Sequence, residues 1–185
     1  MTVGILALQG AFAEHQAMFS RLGREAVLVR RPGQLAELDG LVLPGGESTA
    51  MRRLAVSSGL DRALVEFAAT RPVWGVCAGM ILLAAGIKGE EPFLGLLEMT
   101  VARNAYGRQT DSFMADVVLN KGGLFPGVFI RAPEVVAIGP CVEVLGTLGD
   151  RPVAVRQGRA MATAFHPELR EDTRLHETFL AMCAA

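Results

Sequence analysis

An α/β architecture with a mainly parallel central sheet is what this sequence predicts, and three observations carry that expectation. Continuous apolar runs alternate with helical spacings through the first half of the chain. Those runs stop at Gly- or Pro-rich turns, and the second half breaks into short strands between turns. Repeated strand–helix–strand units imply parallel pairing with helices on both faces. The turn-rich half implies an antiparallel extension. The expected form is a three-layer sandwich occupying residues 1–185 as one domain, a length ample for a single buried core.

Taken in order, residues 3–8 form an apolar run, as expected of a strand covered on both faces. Residues 12–22 follow with helical spacing: Phe12, Phe19 and Leu22 share a face, with Glu14 and Arg21 polar. A second short strand over 26–29 is closed by Pro32 and Gly33. A third over 41–43 ends abruptly in Pro44-Gly45-Gly46. Ser48 is the expected cap of the next helix, with Arg52 and Arg53 on its wet side. Gly59 interrupts that helix and 60–69 resumes it. Residues 73–76 are a fourth buried strand, running directly into Cys77-Ala78-Gly79 and an apolar helix to about residue 85. Beyond that point 99–102, 113–118, 128–130, 135–138, 142–148, 152–156 and 160–165 read as short strands. A last helix over 173–183 carries Leu175, Phe179 and Met182 on one face.

The bulk composition excludes several function classes. About half the residues are hydrophobic and a fifth charged, an ordinary globular balance. The net charge is -1 and no basic block appears, so neither nucleic acid nor an acidic membrane is an expected partner. No basic leader precedes the first strand. The longest apolar run, 73–87, is too short to span a bilayer and is broken by Gly75, Gly79 and Gly86. The chain has three cysteines, an odd number, and no CxxC pair. Neither a disulfide framework nor a metal site is expected, and the setting is the reducing cytoplasm with no cofactor.

Gly75-Val76-Cys77-Ala78-Gly79 places a cysteine on the turn between a buried strand and a helix. A nucleophile held there has a strained backbone and needs small neighbours. The helix N-terminus favours a thiolate, lowering a cysteine pKa from ~8.5 to as little as ~3.5–7.5. On position alone Cys77 is either that nucleophile or a buried small hydrophobe. Cys141 and Cys183 have no comparable setting.

The chain has three histidines. His166 closes an apolar strand and is followed by Pro167 and Glu168. In an extended segment positions i and i+2 project to one side, and Pro167 biases His166 toward that geometry. A carboxylate on one imidazole nitrogen sets the tautomer and stabilises the imidazolium formed when a cysteine loses its proton. Viewed alone, the same residues also suit a strand-end turn with a solvated carboxylate. His15 falls on a helix beside the first strand with no carboxylate at i+2, and His176 on a terminal helix is expected to be exposed.

Pro44-Gly45-Gly46-Glu47-Ser48 follows a parallel strand at the sheet edge where α/β proteins bind ligands. Its glycines let a backbone N–H approach a bound atom, so the Gly46 and Ala78 N–H groups are candidate oxyanion donors. A phosphate loop is disfavoured by the absence of the Walker lysine and of GxGxxG. A plain strand-to-helix turn would use these glycines too.

PGGES, GVCAG and FHPE, in that order, resemble the three signatures of triad glutamine amidotransferases. More narrowly, GILALQGAFAEH, LPGGESTAMRRL, WGVCAG, ARNAYGRQTDSF, VFIRAP and FHPEL together resemble the glutaminase subunits of pyridoxal 5'-phosphate synthases from end to end. The resemblance implies a class I glutamine amidotransferase-like fold and glutamine hydrolysis through a thioester on Cys77, with His166 as base and Glu168 orienting it. It implies contacts to L-glutamine from Gly46, Glu47, Ser48, Arg103, Ile130 and Arg131. An arginine suits the substrate α-carboxylate through paired hydrogen bonds, although without the resemblance Arg103 and Arg131 read as surface arginines. It further implies a hetero-oligomer with a barrel-shaped synthase subunit that receives the ammonia and completes the oxyanion hole. Gln9, Gly10, Glu14 and His15, just past the first strand, are expected parts of the docking face. Competing readings are a glutaminase serving imidazole glycerol phosphate synthase, a γ-glutamyl peptidase, and a non-catalytic subunit retaining the fold alone. RNAYGRQTDSF and FIRAP argue against the first, and an intact Cys77, His166 and Glu168 against the last.

Overall fold

A computed structural model of the chain describes residues 1–103 and 112–185. The segment ARNAYGRQTDSF lies mostly outside the described residues, at 104–111. The parallel core is built from β1 (Val3–Leu6), β2 (Ala26–Val29), β3 (Gly40–Leu43), β4 (Val73–Val76) and β12 (Ala160–Thr163). Among the described residues these join β11 (Arg151–Gln157), β10 (Glu143–Leu148), β7 (Ser112–Leu119) and β8 (Gly123–Ile130) in one nine-stranded sheet, ordered β2-β1-β3-β4-β12-β11-β10-β7-β8. The pairs β2/β1, β1/β3, β3/β4 and β4/β12 are parallel, and from β12 outward the pairing is antiparallel. β12 therefore joins the two halves.

The alternating side chains of β4 identify the layers. Trp74 packs on Phe179 of α5 (Arg174–Cys183) at 5.7 Å between ring centroids and on His15 of α1 (Phe12–Arg21) at 5.5 Å. Gly75 faces the other way, where a Cβ would meet Gly79 and Leu83 of α4 (Ala78–Leu83). Successive strand residues point to opposite faces, so α1 and α5 cover one face of the sheet and α4 the other. Helices α2 (Ser48–Ser58) and α3 (Leu60–Thr70) are separated by Gly59, whose φ of 72° supplies the left-handed cap that stops α2. No described helix is long and apolar enough to cross a membrane.

Three expectations need correction. The helix after Cys77 ends at Leu83, and Ala84–Ile87 is a strand, β5. It pairs with β6 (Leu97–Ala102) in a second sheet completed by β9 (Glu134–Ile138). Tertiary pairing decides here, because a run such as Ala84-Ala85-Gly86-Ile87 has no strong preference of its own. Second, β8 begins at Gly123 rather than 128, and Pro126 sits inside it. β8 is the sheet's edge strand, where a missing N–H is tolerated. Third, Glu47 and not Ser48 caps α2: its carboxylate accepts from the Thr49 and Ala50 N–H groups at 2.8 and 2.7 Å.

Candidate active site

β4 and β12 are neighbours in parallel register, Val76 beside Thr163. The residues just past their C-terminal ends are therefore brought together, and these are Cys77 and His166. The Cys77 N–H donates to the Thr163 carbonyl at 2.8 Å, which ties the elbow to the neighbouring strand. Cys77 itself has φ 49° and ψ -101°, a sparsely populated conformation for a non-glycine residue. The turn is tight enough that a Cβ on Gly79 would lie 2.0 Å from the Leu43 carbonyl oxygen, and one on Gly75 2.4 Å from that of Gly79. Only glycine at both flanks lets the chain pass. The thiol is buried, its Sγ 3.7 Å from the Ile130 carbonyl oxygen at the end of β8. The Ala78 N–H opens α4, where the first amides have no acceptor within the helix.

His166 is held by its own N–H, which donates to the Val128 carbonyl at 2.8 Å, and by Phe165 behind it. Phe165 is fully buried against Phe125 and Phe129, at 5.6 and 5.5 Å between centroids. The antiparallel extension thus serves as a backstop for the ring. His166 Nδ1 and Glu168 Oε1 are 2.7 Å apart. The geometry differs in detail from the extended i/i+2 expectation: β12 stops at Thr163, and Glu168 lies in a 3-10 turn, Pro167–Leu169. The carboxylate is not solvated but buried.

Burial disfavours the imidazolium of His166, but hydrogen bonds to Cys77 and Glu168, with their negative charges, outweigh it and raise the ring's pKa to about 10. Burial likewise pushes the Glu168 carboxyl up, and the charges of His15 and His166 with the bond from His166 hold it below its usual value. His15 is itself kept neutral by burial, so we assign the His166 imidazolium as the counter-charge. The ring that faces Cys77 is thus one that keeps a proton it receives.

A cleft of about 350 Å³ opens over Cys77. Gly46, Glu47, Ser48, Ala78, Arg103, Ile130, Arg131 and His166 all border it; Glu168 lies behind the ring, outside the lining. The Arg103 guanidinium reaches Ser48 Oγ through Nη2 and Thr49 Oγ1 at 3.3 Å through Nη1, and its Nε is 3.3 Å from Glu90 Oε1. Arg131 has a left-handed φ of 44°, a strained turn directly after Ile130. The Gly45 carbonyl accepts from the Ala11 N–H at 3.0 Å, so the trans peptide presents the Gly46 N–H on its opposite edge. Among the described residues no group of three or more His, Cys, Asp or Glu is arranged to hold a metal ion.

The expected docking residues separate. Gln9 and Gly10 line the cleft, and Gln9 Oε1 accepts from the Glu47 N–H at 2.7 Å, pinning the Gly-rich loop. Glu14 is exposed, whereas His15 is fully buried and has no surface to offer a partner. His176, expected to be exposed, is fully buried as well. Gln9 as a clamp was missed because a single glutamine after a strand carries no distinctive pattern. Gly45 was missed as the floor under His166, where a Cβ would lie 2.3 Å from the ring Cε1.

Residues 5–185 match the model of the SNO glutamine amidotransferase family. A protein of Deinococcus radiodurans named pyridoxal 5'-phosphate synthase subunit PdxT is 54% identical over 192 aligned residues, covering 98% of this chain and 97% of that one. One of the same name from Geobacillus kaustophilus is 53% identical, covering 98% and 94%. A crystal structure of a glutamine amidotransferase superposes with a TM-score of 0.95 at 48% identity, covering 99% of each chain. The structure of PurLQS from Thermotoga maritima, at 16% identity and TM-score 0.74 over 97% of each chain, shares the fold. The chain belongs to the SNO glutamine amidotransferase family, with a class I glutamine amidotransferase-like fold.

Proposed function

We propose that this chain is the glutaminase subunit of a pyridoxal 5'-phosphate synthase, working as one domain over residues 1–185 in the cytoplasm. In this reading it hydrolyses L-glutamine and passes the ammonia to a synthase partner. The observation that carries the chemistry is the line Cys77–His166–Glu168, with the 2.7 Å His166–Glu168 bond buried behind the wall of the cleft. The names of the half-identical relatives support the partner and the pathway.

The reaction follows from the placement. The Cys77 sulfur attacks the side-chain amide carbon of glutamine with its proton already held on His166, as that ring's raised pKa requires. The oxygen of the tetrahedral adduct takes up negative charge, for which the Gly46 and Ala78 N–H groups are the proposed donors. His166 then returns its proton to the amide nitrogen, the C–N bond breaks, and ammonia leaves a thioester on Cys77. Water attacks the thioester with His166 as base, and the C–S bond breaks to release glutamate and restore the Cys77 sulfur with its proton on His166. Glu168 keeps the imidazole in one tautomer throughout. Arg103, held over the cleft by Ser48 and Thr49, and Arg131 supply positive charge for the substrate's α-carboxylate, with Glu47 and Ile130 shaping the remainder.

The test is release of glutamate and ammonia from glutamine, with and without the cognate synthase, for wild type and Cys77→Ala. Release that the synthase stimulates and that vanishes in Cys77→Ala is the expected result. Release indifferent to the synthase would point to another acceptor, and no release from a confirmed complex would refute the enzymatic reading.

A further inference from the structure

Behind the triad lies a second buried line of polar groups that the reaction just described does not use. Glu168 has two carboxylate oxygens. Oε1 is committed to His166 at 2.7 Å, while Oε2 is fully buried and has no hydrogen bond. The nearest polar group recorded for Oε2 is Nε2 of His15, at 3.6 Å, with both side chains wholly removed from solvent. On its other side His15 Nδ1 stands 3.0 Å from His176 Nε2, a contact between residues 161 positions apart that bridges α1 and α5. His176 Nδ1, at the far end, has no partner.

We infer that His15 is a positioning residue for the hydrolysis proposed above, holding Glu168 through its second oxygen, and that His176 fixes the tautomer of His15. The inference rests on the triad reading and adds two residues to it.

The argument is one of donors and acceptors. A neutral imidazole carries one N–H and one bare nitrogen. A bare His15 Nε2 would set a lone pair against an ionised carboxylate oxygen in a buried site, which is repulsive. His15 therefore carries its proton on Nε2, leaving Nδ1 as an acceptor. Nδ1 then needs a donor, and His176 Nε2–H is in place to be it. That assignment leaves His176 Nδ1 bare, in agreement with its having no partner. The donors converge on Glu168: His176 donates to His15 and His15 faces Oε2 with its N–H, while His166 Nδ1–H donates to Oε1 from the other side.

The surroundings hold both rings still. His15 meets Trp74 edge-on at 5.5 Å, and His176 meets Phe19 at 5.2 Å and Trp74 at 4.9 Å. Trp74 is itself anchored by its indole N–H to Thr163 Oγ1 at 3.3 Å. The charged or titratable groups acting on His15 are Glu168 and His166 beside the site, Glu14 on its own helix and His176 on α5. At 3.6 Å the His15–Glu168 contact is longer than a hydrogen bond. It orients the carboxylate without competing with the 2.7 Å bond to His166. Two apolar side chains would fill the same volume with no polar atom to satisfy, but they would leave Oε2 without any positive edge.

The experiment uses the full chain in complex with its synthase. His15→Phe keeps the bulk and removes both nitrogens, whereas His15→Gln keeps an N–H near the position of Nε2. The expected result is a fall in kcat of about tenfold or more for His15→Phe at a KM within about twofold, recovered to within about threefold by His15→Gln. Long-range nitrogen–proton NMR correlations on the wild-type chain are expected to show Nε2–H tautomers for both His15 and His176. Unchanged kcat in a folded, complex-forming His15→Phe, an equal loss in both variants, or a proton on His15 Nδ1 would each overturn the inference. A wild-type complex that releases no glutamate would sink the triad reading instead, and the NMR arm would still decide the placement of His15.

Discussion

Replacing Gly45 by alanine tests how closely the Gly-rich loop is fitted to His166, the proposed base. A Cβ built on Gly45 lies 2.3 Å from His166 Cε1 and 2.9 Å from Nδ1, where ordinary contacts begin at about 3.4 Å. Roughly 1 Å of movement must be found. The ring is fixed by Glu168 at 2.7 Å and by the His166 N–H on Val128 at 2.8 Å, and the loop by the Ala11 N–H on the Gly45 carbonyl at 3.0 Å. Moving the ring spoils its alignment on Cys77, and moving the loop displaces the Gly46 N–H. A misplacement of ~1 Å at a reacting centre costs about 10²-fold, or ~2.7 kcal/mol of barrier. Overpacking of this kind costs about 1–3 kcal/mol of stability in addition. Gly33→Ala is the control, since a Cβ there meets nothing within 4 Å. The assay is synthase-saturated glutamate release, with thermal unfolding and sedimentation to show that the variants fold and bind. A folded Gly45→Ala with kcat within about twofold of wild type would refute the claim that this loop is fitted against His166.

Glu168→Gln removes the buried charge that supports the His166 imidazolium. The ring's titration should fall from about 10, read by NMR, and kcat should drop by about 10²–10⁴-fold. Arg103→Lys keeps the charge but loses the fork that spans Ser48 and Thr49. KM for glutamine should rise about tenfold with kcat little changed, and an unaltered KM would remove Arg103 from the substrate site. For pH, burial depresses His15 and takes His176 down to about 2, so both stay neutral in the folded chain while their unfolded forms protonate below about 6.5. Their contribution to stability is whole above that pH and is lost as pH falls, by up to about 1.4 kcal/mol per pH unit for each ring. His166, raised to about 10, contributes in the opposite sense: its stabilisation is whole below about 6.5 and is lost as pH rises toward 10. Denaturant midpoints between pH 5 and 6.5 should therefore climb in wild type and climb about half as steeply in His176→Gln; parallel slopes would contradict the buried neutral pair.

The parallel half of the fold was legible because its strands are covered on both faces. Val73-Trp74-Gly75-Val76 has no polar position to confuse with an exposed face, and it ends in a cysteine between glycines. His176 shows why other parts were not. It lies three residues before Phe179 and one after Leu175, on the very stripe that the spacing marked as buried, yet its polarity suggested solvent. The decisive fact was the partner on α1, which no local pattern carries. Ser48 was a sound cap on local grounds, but Arg103, distant in sequence, takes its hydroxyl and leaves the capping to Glu47. Arg103 and Arg131 resembled surface arginines by pattern; the fold turns them into the cleft through a strand end and a left-handed turn.

The order of the sheet explains why the candidate site needs both halves of the chain. Cys77 requires a parallel strand ending in a helix, because only that junction offers a strained turn and a set of free amides at once. His166 requires the strand beside it, and β12 is the one parallel neighbour of β4 on that side. A parallel neighbour delivers its C-terminal end to the same edge, so His166 arrives opposite Cys77 without a long loop. β12 then pairs antiparallel with β11, which lets the chain fold its remaining strands outward and bring Val128, Phe129 and Ile130 back over the site. One strand edge thereby receives the His166 N–H and faces the Cys77 sulfur. The antiparallel extension is for this reason part of the candidate site and not a decoration of the sheet. A one-residue slip in the β4–β12 register would reverse which face β12 presents and carry His166 away from the elbow.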